Sequence, residues 1–294
     1  MKKVRIADMN IEIDYMDKPF FNHRLRKYGN ENFVKADMVL KTCCLNEINK
    51  PKGEVIKQIS DATIVHIGDN RYCRYISSDK NGGILSAIYY NDANSEVEIH
   101  LSEGIAQTAL SLTELEYLYT SIAFSDKLAE MGGAVLHGSA VAYNDQGIIF
   151  SANSGTGKST HTNLWKQRFG NKIIIVNDDK PAIRYYDKIP YIFGTPWSGK
   201  SDLNVNVQVQ LKTVVFIKRA KTNRVERLNA RASIFSLMSQ ISRPYYDEKI
   251  GLKTMDVIKK LVLSVPIYRL HCNPDLEAVD TIHQHLIQEG VIDK

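Results

Sequence analysis

The sequence predicts an α/β fold of the α+β mixed-sheet type, with a β-rich N-terminal domain ahead of a larger domain of strands and helices. Three observations predict it. Short alternating apolar runs, separated by turns, fill residues 55–101. One long helical pattern follows and stops at Gly132-Gly133. Beyond it apolar strands mix with helices, and a glycine-rich run, Ser154-Gly155-Thr156-Gly157, joins a strand to a helix.

The N-terminal domain is expected over residues 1–105. Its strands read at 55–59, 63–67, 72–77, 84–90 and 97–101, with turns at Asp79-Lys80-Asn81-Gly82-Gly83 and Asn91-Asp92. This pattern suggests an antiparallel meander or small sandwich, and nothing catalytic stands out in it. A connecting helix is expected within 106–132. Thr113 and Glu116 have capping-box spacing, and Leu115, Leu118, Ile122 and Leu128 recur at helical intervals. The domain 133–294 then reads as strands at 134–143, 147–150, 172–176, 182–186, 191–193, 212–218 and 266–271. Its helices read at 159–169, 230–241, 252–263 and 274–289.

Composition bounds the rest. At 294 residues, 44% hydrophobic and 24% charged, the chain is an ordinary globular one, long enough to bury a sizeable core. A net charge of +5 is mild and compatible with anionic substrates. No apolar stretch approaches the roughly 18 residues of a membrane span. The basic start, Met1-Lys2-Lys3-Val4-Arg5, lacks the apolar segment of a secretory signal, so a cytoplasmic protein without a membrane partner is expected. Cys43, Cys44, Cys73 and Cys272 are irregularly spaced and read as reduced thiols rather than a zinc site or disulfides. The basic stretch Lys218–Arg231 reads as a solvated hairpin or strand edge. Nucleic acid is not an expected partner, because no recognition module accompanies that stretch. His283 and His285 read as surface residues of the last helix.

The run Ala152-Asn153-Ser154-Gly155-Thr156-Gly157-Lys158-Ser159-Thr160 follows an apolar strand and opens a helix. Backbone N–H groups and the helix dipole favour an anion there. Lys158 and Ser159 follow at the spacing needed for a terminal phosphate and a Mg²⁺ ion. Asn153 to Thr160 are therefore expected to bind a nucleoside triphosphate. The pattern's first glycine falls on Ala152, which requires a negative φ at that position. The strand at 172–176 ends in Asn177-Asp178-Asp179. This strand is expected beside the one entering the loop, so that its acids land near the β- and γ-phosphates. One acid would hold the metal and the other would take the proton of an attacking hydroxyl. His137, in Leu136-His137-Gly138-Ser139, is a further candidate.

Taken together, Leu136-His137-Gly138, the loop Ser154-Gly155-Thr156-Gly157-Lys158-Ser159 and the pair Asp178-Asp179 resemble the catalytic domain of HPr kinase/phosphorylase and its relatives, over residues of about 130 to 290. The nucleotide-binding core of that group also occurs in phosphoenolpyruvate carboxykinases. The resemblance implies that Lys158 binds the β- and γ-phosphates, that Ser159 and Asp179 are Mg²⁺ ligands, and that Asp178 is the general base. It places His137 near the transferred phosphate. The segment Gly194-Thr195-Pro196-Trp197-Ser198-Gly199-Lys200 resembles a G-T-P-W segment of the looser HPr-kinase-like proteins, with Trp197 as an apolar wall and Lys200 as a charge neutraliser. The arginine-rich signature of the bifunctional enzymes is not found, and Arg243-Pro244-Tyr245 is a partial echo of it that would place Arg243 against substrate.

The expected function is an ATP- and Mg²⁺-dependent kinase acting on a hydroxyl, either a Ser of a protein or peptide or a small hydroxylated metabolite. A nucleotide-binding regulatory or accessory protein with little transfer activity is the alternative. A homo-oligomer is possible by the resemblance.

Overall fold

The computed structural model describes residues 1–78, 82–104, 110–242 and 247–294. The chain packs as two compact units, Met1–Met131 with Pro244–Gly251, and Gly132–Arg243 with Leu252–Lys294. Both combine helices with mixed sheets. No helix of the described residues is long and apolar enough to cross a membrane.

Among the described residues the first unit holds one eight-stranded sheet, two helices of its own and the first turn of a third. In chain order it runs β1 (Lys2–Ile6), β2 (Met9–Asp14), α1 (Lys18–Arg24), β3 (Met38–Leu45), β4 (Glu54–Ile59), β5 (Ala62–Gly68), β6 (Arg71–Ser77), β7 (Ile84–Asn91), β8 (Glu96–Ser102) and α2 (Leu112–Glu130). The strand order is β1-β2-β3-β8-β7-β6-β5-β4. Strands β4 to β8 form the antiparallel meander expected from the alternating runs. Three further strands extend it, and β2–β3 and β3–β8 pair parallel. Local pattern did not reveal them: Lys2, Lys3 and Arg5 blunt the apolar alternation of β1, and parallel neighbours are chosen by contacts distant in sequence.

Helix α2 corrects one expectation. Its N-cap is Ser111, whose side chain accepts from the Glu114 N–H while Glu114 reaches back, so the capping box is Ser111–Glu114 and not Thr113–Glu116. Glu116 lies one turn inside the helix, fully buried. Its carboxyl accepts from the N–H groups of Met16 (2.6 Å) and Asp17 (3.1 Å) and from the Thr42 hydroxyl. One acid thus satisfies the backbone that leaves β2 and ties it to β3.

The second unit contains β9 (Ala134–Val135), β10 (Gly138–Tyr143), β11 (Gln146–Ser151), α3 (Lys158–Phe169), β12 (Ile173–Asn177), β13 (Ala182–Tyr186), β14 (Ile189–Phe193), β15 (Gln208–Arg219), β16 (Arg224–Arg227), α4 (Ala230–Met238), the Leu252–Ser264 part of α5 (Glu248–Ser264), β17 (Ile267–Cys272) and α6 (Leu276–Gln288). Its sheet runs β12-β10-β11-β15-β14-β13-β9, with β17 paired to β15 and β16. Each face carries its own core. One face packs Phe150, Val215 and Tyr268 with Trp165 of α3 and Ile282 of α6; the other packs Ile149, Val214 and Ile192 with Leu237 of α4 and Leu261 of α5. This two-faced burial explains the continuous apolar runs of β11 and β15.

Two features position the site. Strands β11, β15 and β17 are mutually parallel, so Ala152–Gly157, Arg219 and Asn273 leave the sheet at the same C-terminal edge. That edge is where open α/β sheets bind ligands. The strand expected at 134–143 is broken: β9 and β10 are separated by Leu136-His137, which bridge outward to Ile241 and Gln240. The strand carrying the acids, β12, is not beside β11; β10 lies between them. The tight hairpin Asn144-Asp145 holds β10 against β11 and leaves only β10's far edge for β12. His283 and His285 are not plain surface residues either. His283 packs against Tyr143, Trp165 and Phe169, and His285 against Tyr268.

Candidate nucleotide and phosphoryl-transfer site

The glycine-rich loop has the local geometry its sequence demands. Gly155 and Gly157 take φ values of +72° and +120°, which L side chains rarely adopt. Ala152 stands outside the left-handed region, so alanine is tolerated in the first-glycine position. Gly157 is the N-cap of α3; no side chain caps the helix and its first turn holds no acid. The orphan N–H groups of that turn are therefore left for an anion. Lys158 is 8% exposed, and its ammonium donates to the carbonyls of Ala152 (2.9 Å) and Asn153 (3.3 Å). Burial pushes this ammonium's pKa down, against the pull of Asp179 and Asp178. Arg219, at the end of β15, grips the loop from outside by donating to the carbonyls of Thr156 (3.0 Å) and Gly155.

Beside the loop is a cavity of about 450 Å³. Its walls bring together His137, Ser154, Gly155, Gly157–Thr160, Asp178, Asp179 and Lys200. The two acids sit in different surroundings. Asp178 is 7% exposed, and its Oδ1 accepts from the Ser139 hydroxyl at 2.7 Å, itself 2.9 Å from the Thr162 hydroxyl of α3. Asp179 faces His137 Nε2 at 3.4 Å and Lys180 Nζ at 3.8 Å. Burial works upward on the Asp179 carboxyl, but the His137 hydrogen bond, Lys180 and Lys158 outweigh it and hold it below the ordinary carboxylate range. Asn177 shapes the turn that carries both acids: its Oδ1 accepts from the N–H groups of Asp179 (2.9 Å) and Lys180 (2.6 Å), and its amide donates to Thr195 O (2.8 Å).

His137 is held from its other nitrogen. Nδ1 lies 3.1 Å from Gln240 Oε1, and the Gln240 amide donates to Asn153 Oδ1 at 2.8 Å. Asp179, His137, Gln240 and Asn153 thus form one chain from the acid pair to the loop. The remaining sequence candidates fall as follows. Asn153 and Thr156 line a neighbouring cavity toward α4 rather than this one. Lys200 is exposed at the cavity's rim. Trp197 is 2% exposed and is not among the residues that line the cavity, so it acts as a core side chain rather than an apolar wall. Arg243 lies outside the described residues.

A further cavity of about 460 Å³ opens on the other flank of the loop, lined by Thr156, Gly157, Thr160, His161, Ile217, Ala220 and Pro274 among others. His161 is 3% exposed and accepts from the Trp165 indole N–H at 3.1 Å. Burial pushes its pKa down to about 4.

Sequence reasoning missed Ser139, Thr162, Lys180, Arg219 and Gln240. Ser139 and Thr162 had a signal: one lies two residues after His137, near the start of β10, the other one turn after Ser159. Gln240 had none, being 103 residues from its partner His137.

The donors present fit a hard cation and a phosphate chain. The Ser159 hydroxyl and the carboxylates of Asp178 and Asp179 line the same cavity and offer oxygen donors, the kind Mg²⁺ takes. Lys158 and the uncapped helix turn supply the complementary positive charge.

No protein-family model matches the chain, and comparison with curated proteins gives no match. Among solved structures the chain is similar to the Hpr(Ser) kinase/phosphatase from Coxiella burnetii, at 12% identity and a TM-score of 0.30, over 53% of this chain and 98% of that one.

Proposed function

We propose that this chain is a kinase that uses ATP and Mg²⁺ to phosphorylate a hydroxyl, on a Ser of a protein or peptide or on a small hydroxylated metabolite. The observation that carries the reading is the single cavity in which Gly157–Thr160 of the loop meet both acids and His137. The phosphates would lie on the first turn of α3, with Lys158 against their β- and γ-oxygens. The nucleoside would extend into the flanking cavity, whose apolar walls are Ile217, Ala220 and Pro274. Ser159 and Asp179 would hold Mg²⁺, whose chemistry there would be neutralisation of phosphate charge.

The chemistry then needs a base and order. The acceptor oxygen bonds to the γ-phosphorus as the bond to the β–γ bridging oxygen breaks, and ADP leaves. The acceptor's proton passes to Asp178. Among the described residues only one of its oxygens takes a side-chain hydrogen bond, which leaves the other for the acceptor. Asp179 is the better metal acid, because His137, Lys180 and Lys158 keep it ionised. Gln240 holds His137 and Asn153 in place, and Arg219 holds the loop.

The test uses γ-labelled ATP with Mg²⁺ and a pool of small metabolites and Ser-bearing peptides. Label on an acceptor, lost in Lys158→Ala, is the expected result. ATP bound tightly but never transferred would move the protein to the nucleotide-binding regulator.

A further inference from the structure

The first unit holds a second cluster of chemically capable side chains, with no part in the phosphoryl-transfer reading. The parallel pairing of β3 and β8 sets Cys43 directly opposite His100. Glu98 lies two residues before His100 on the same strand, so all three side chains share one face of the sheet. One ligand atom from each falls within 4.8 Å of the others, and His100 Nε2 is already 2.9 Å from Glu98 Oε1. All three residues are partly buried, the His100 side chain more so (19% exposed) than that of Glu98 (47%). The Tyr89 ring packs on the His100 imidazole with centroids 4.9 Å apart and limits its orientation.

We propose that Cys43, Glu98 and His100 form a site for a borderline divalent transition metal, Zn²⁺ in the first instance. The donor set decides the class. One sulfur, one imidazole nitrogen and one carboxylate oxygen suit zinc, whereas Mg²⁺ and Ca²⁺ take oxygen ligands. With Zn–S of about 2.3 Å and Zn–N and Zn–O of about 2.0–2.2 Å, a tetrahedral ion spaces its ligand atoms roughly 3.3–3.7 Å apart. The His100–Glu98 pair opens slightly and the wider separations close slightly to meet that spacing, by side-chain rotation on a fixed strand register. Three protein ligands leave the fourth position to water, the arrangement of zinc sites that keep an open position. Cys44, the next residue, points to the opposite face and takes no part.

The test is titration of the full-length chain with Co²⁺ as a spectroscopic substitute for Zn²⁺, with Mg²⁺ in excess to occupy oxygen-only sites. The expected result is one equivalent of Co²⁺ with a thiolate-to-cobalt charge-transfer band, displaced by Zn²⁺. Cys43→Ser abolishes the band, His100→Gln weakens Co²⁺ binding by about tenfold or more, and Cys44→Ser leaves both intact. The wild-type band needs no variant and so holds even where a substitution disturbs folding. The absence of a thiolate band, meaning a His–Glu ion pair with a bystander thiol, would overturn the proposal. So would a band that survives Cys43→Ser.

Discussion

Two adjacent aspartates of the same chemistry are separated by what surrounds them. Asp178 has a hydroxyl donor, Ser139, and Asp179 has an imidazole and two ammonium neighbours. In the proposed kinase that difference would divide the labour of base and metal acid. Gln240 is the residue whose role can be read independently of either. Gln240→Leu should lower phosphoryl transfer on the order of tenfold by freeing His137 and Asn153, while ATP affinity in an equilibrium titration changes far less. Equal losses in both would mean that it merely supports the loop. His161 supplies a pH dependence. The folded imidazole stays neutral to about pH 4, while the unfolded one charges below 6.5. The unfolded chain therefore binds the extra proton in that window, and stability falls as pH falls from 6.5 toward 4, by about 3 kcal/mol in the limit. Urea unfolding across that range should show the slope, and His161→Gln, which keeps an acceptor for Trp165, should flatten it.

At the scale of elements, the site depends on close backbone approach as much as on side chains. A Cβ on Gly194 would stand 1.8 Å from Val205 O and 2.7 Å from Val176 O, so the segment after β14 is pressed against the end of β12. A Cβ on Gly199, φ +67°, would stand 3.1 Å from the Asp179 Cβ. Gly194→Ala should cost about 1–3 kcal/mol and should lower transfer further by displacing Asp178 and Asp179, as thermal unfolding and turnover measured together would show. In the first unit the corresponding weak point is Glu116. Glu116→Leu leaves the Asp17 N–H without its acceptor and the Met16 N–H with only the longer bond to Thr42 Oγ1 at 3.2 Å. Its expected cost is about 2–4 kcal/mol in chemical unfolding, with Glu116→Gln markedly milder.

For the molecule as a whole, what was legible in the sequence was local, and what was not was pairing. The loop from Ser154 to Ser159 and the acids after β12 announced themselves by residue type and order. The meander β4–β8 did so by alternation and turns. Strands β1 to β3, the insertion of β10 between β11 and β12, and the return of Gln240 to His137 are long-range choices that no window of sequence contains. Trp197 read as an apolar wall because it sits in a Gly- and Pro-bearing loop, yet residues 194–198 of that loop are buried. The kinase reading rests on one acid acting as a base within that assembled edge, and the most direct measurement is Asp178→Asn, assayed for ATP binding and for phosphoryl transfer. Asparagine keeps an acceptor for Ser139 and removes the proton-accepting carboxylate. The expected result is transfer reduced about 10²–10⁴-fold with ATP affinity nearly unchanged; transfer at the unaltered rate, or loss of ATP binding along with transfer, would contradict it.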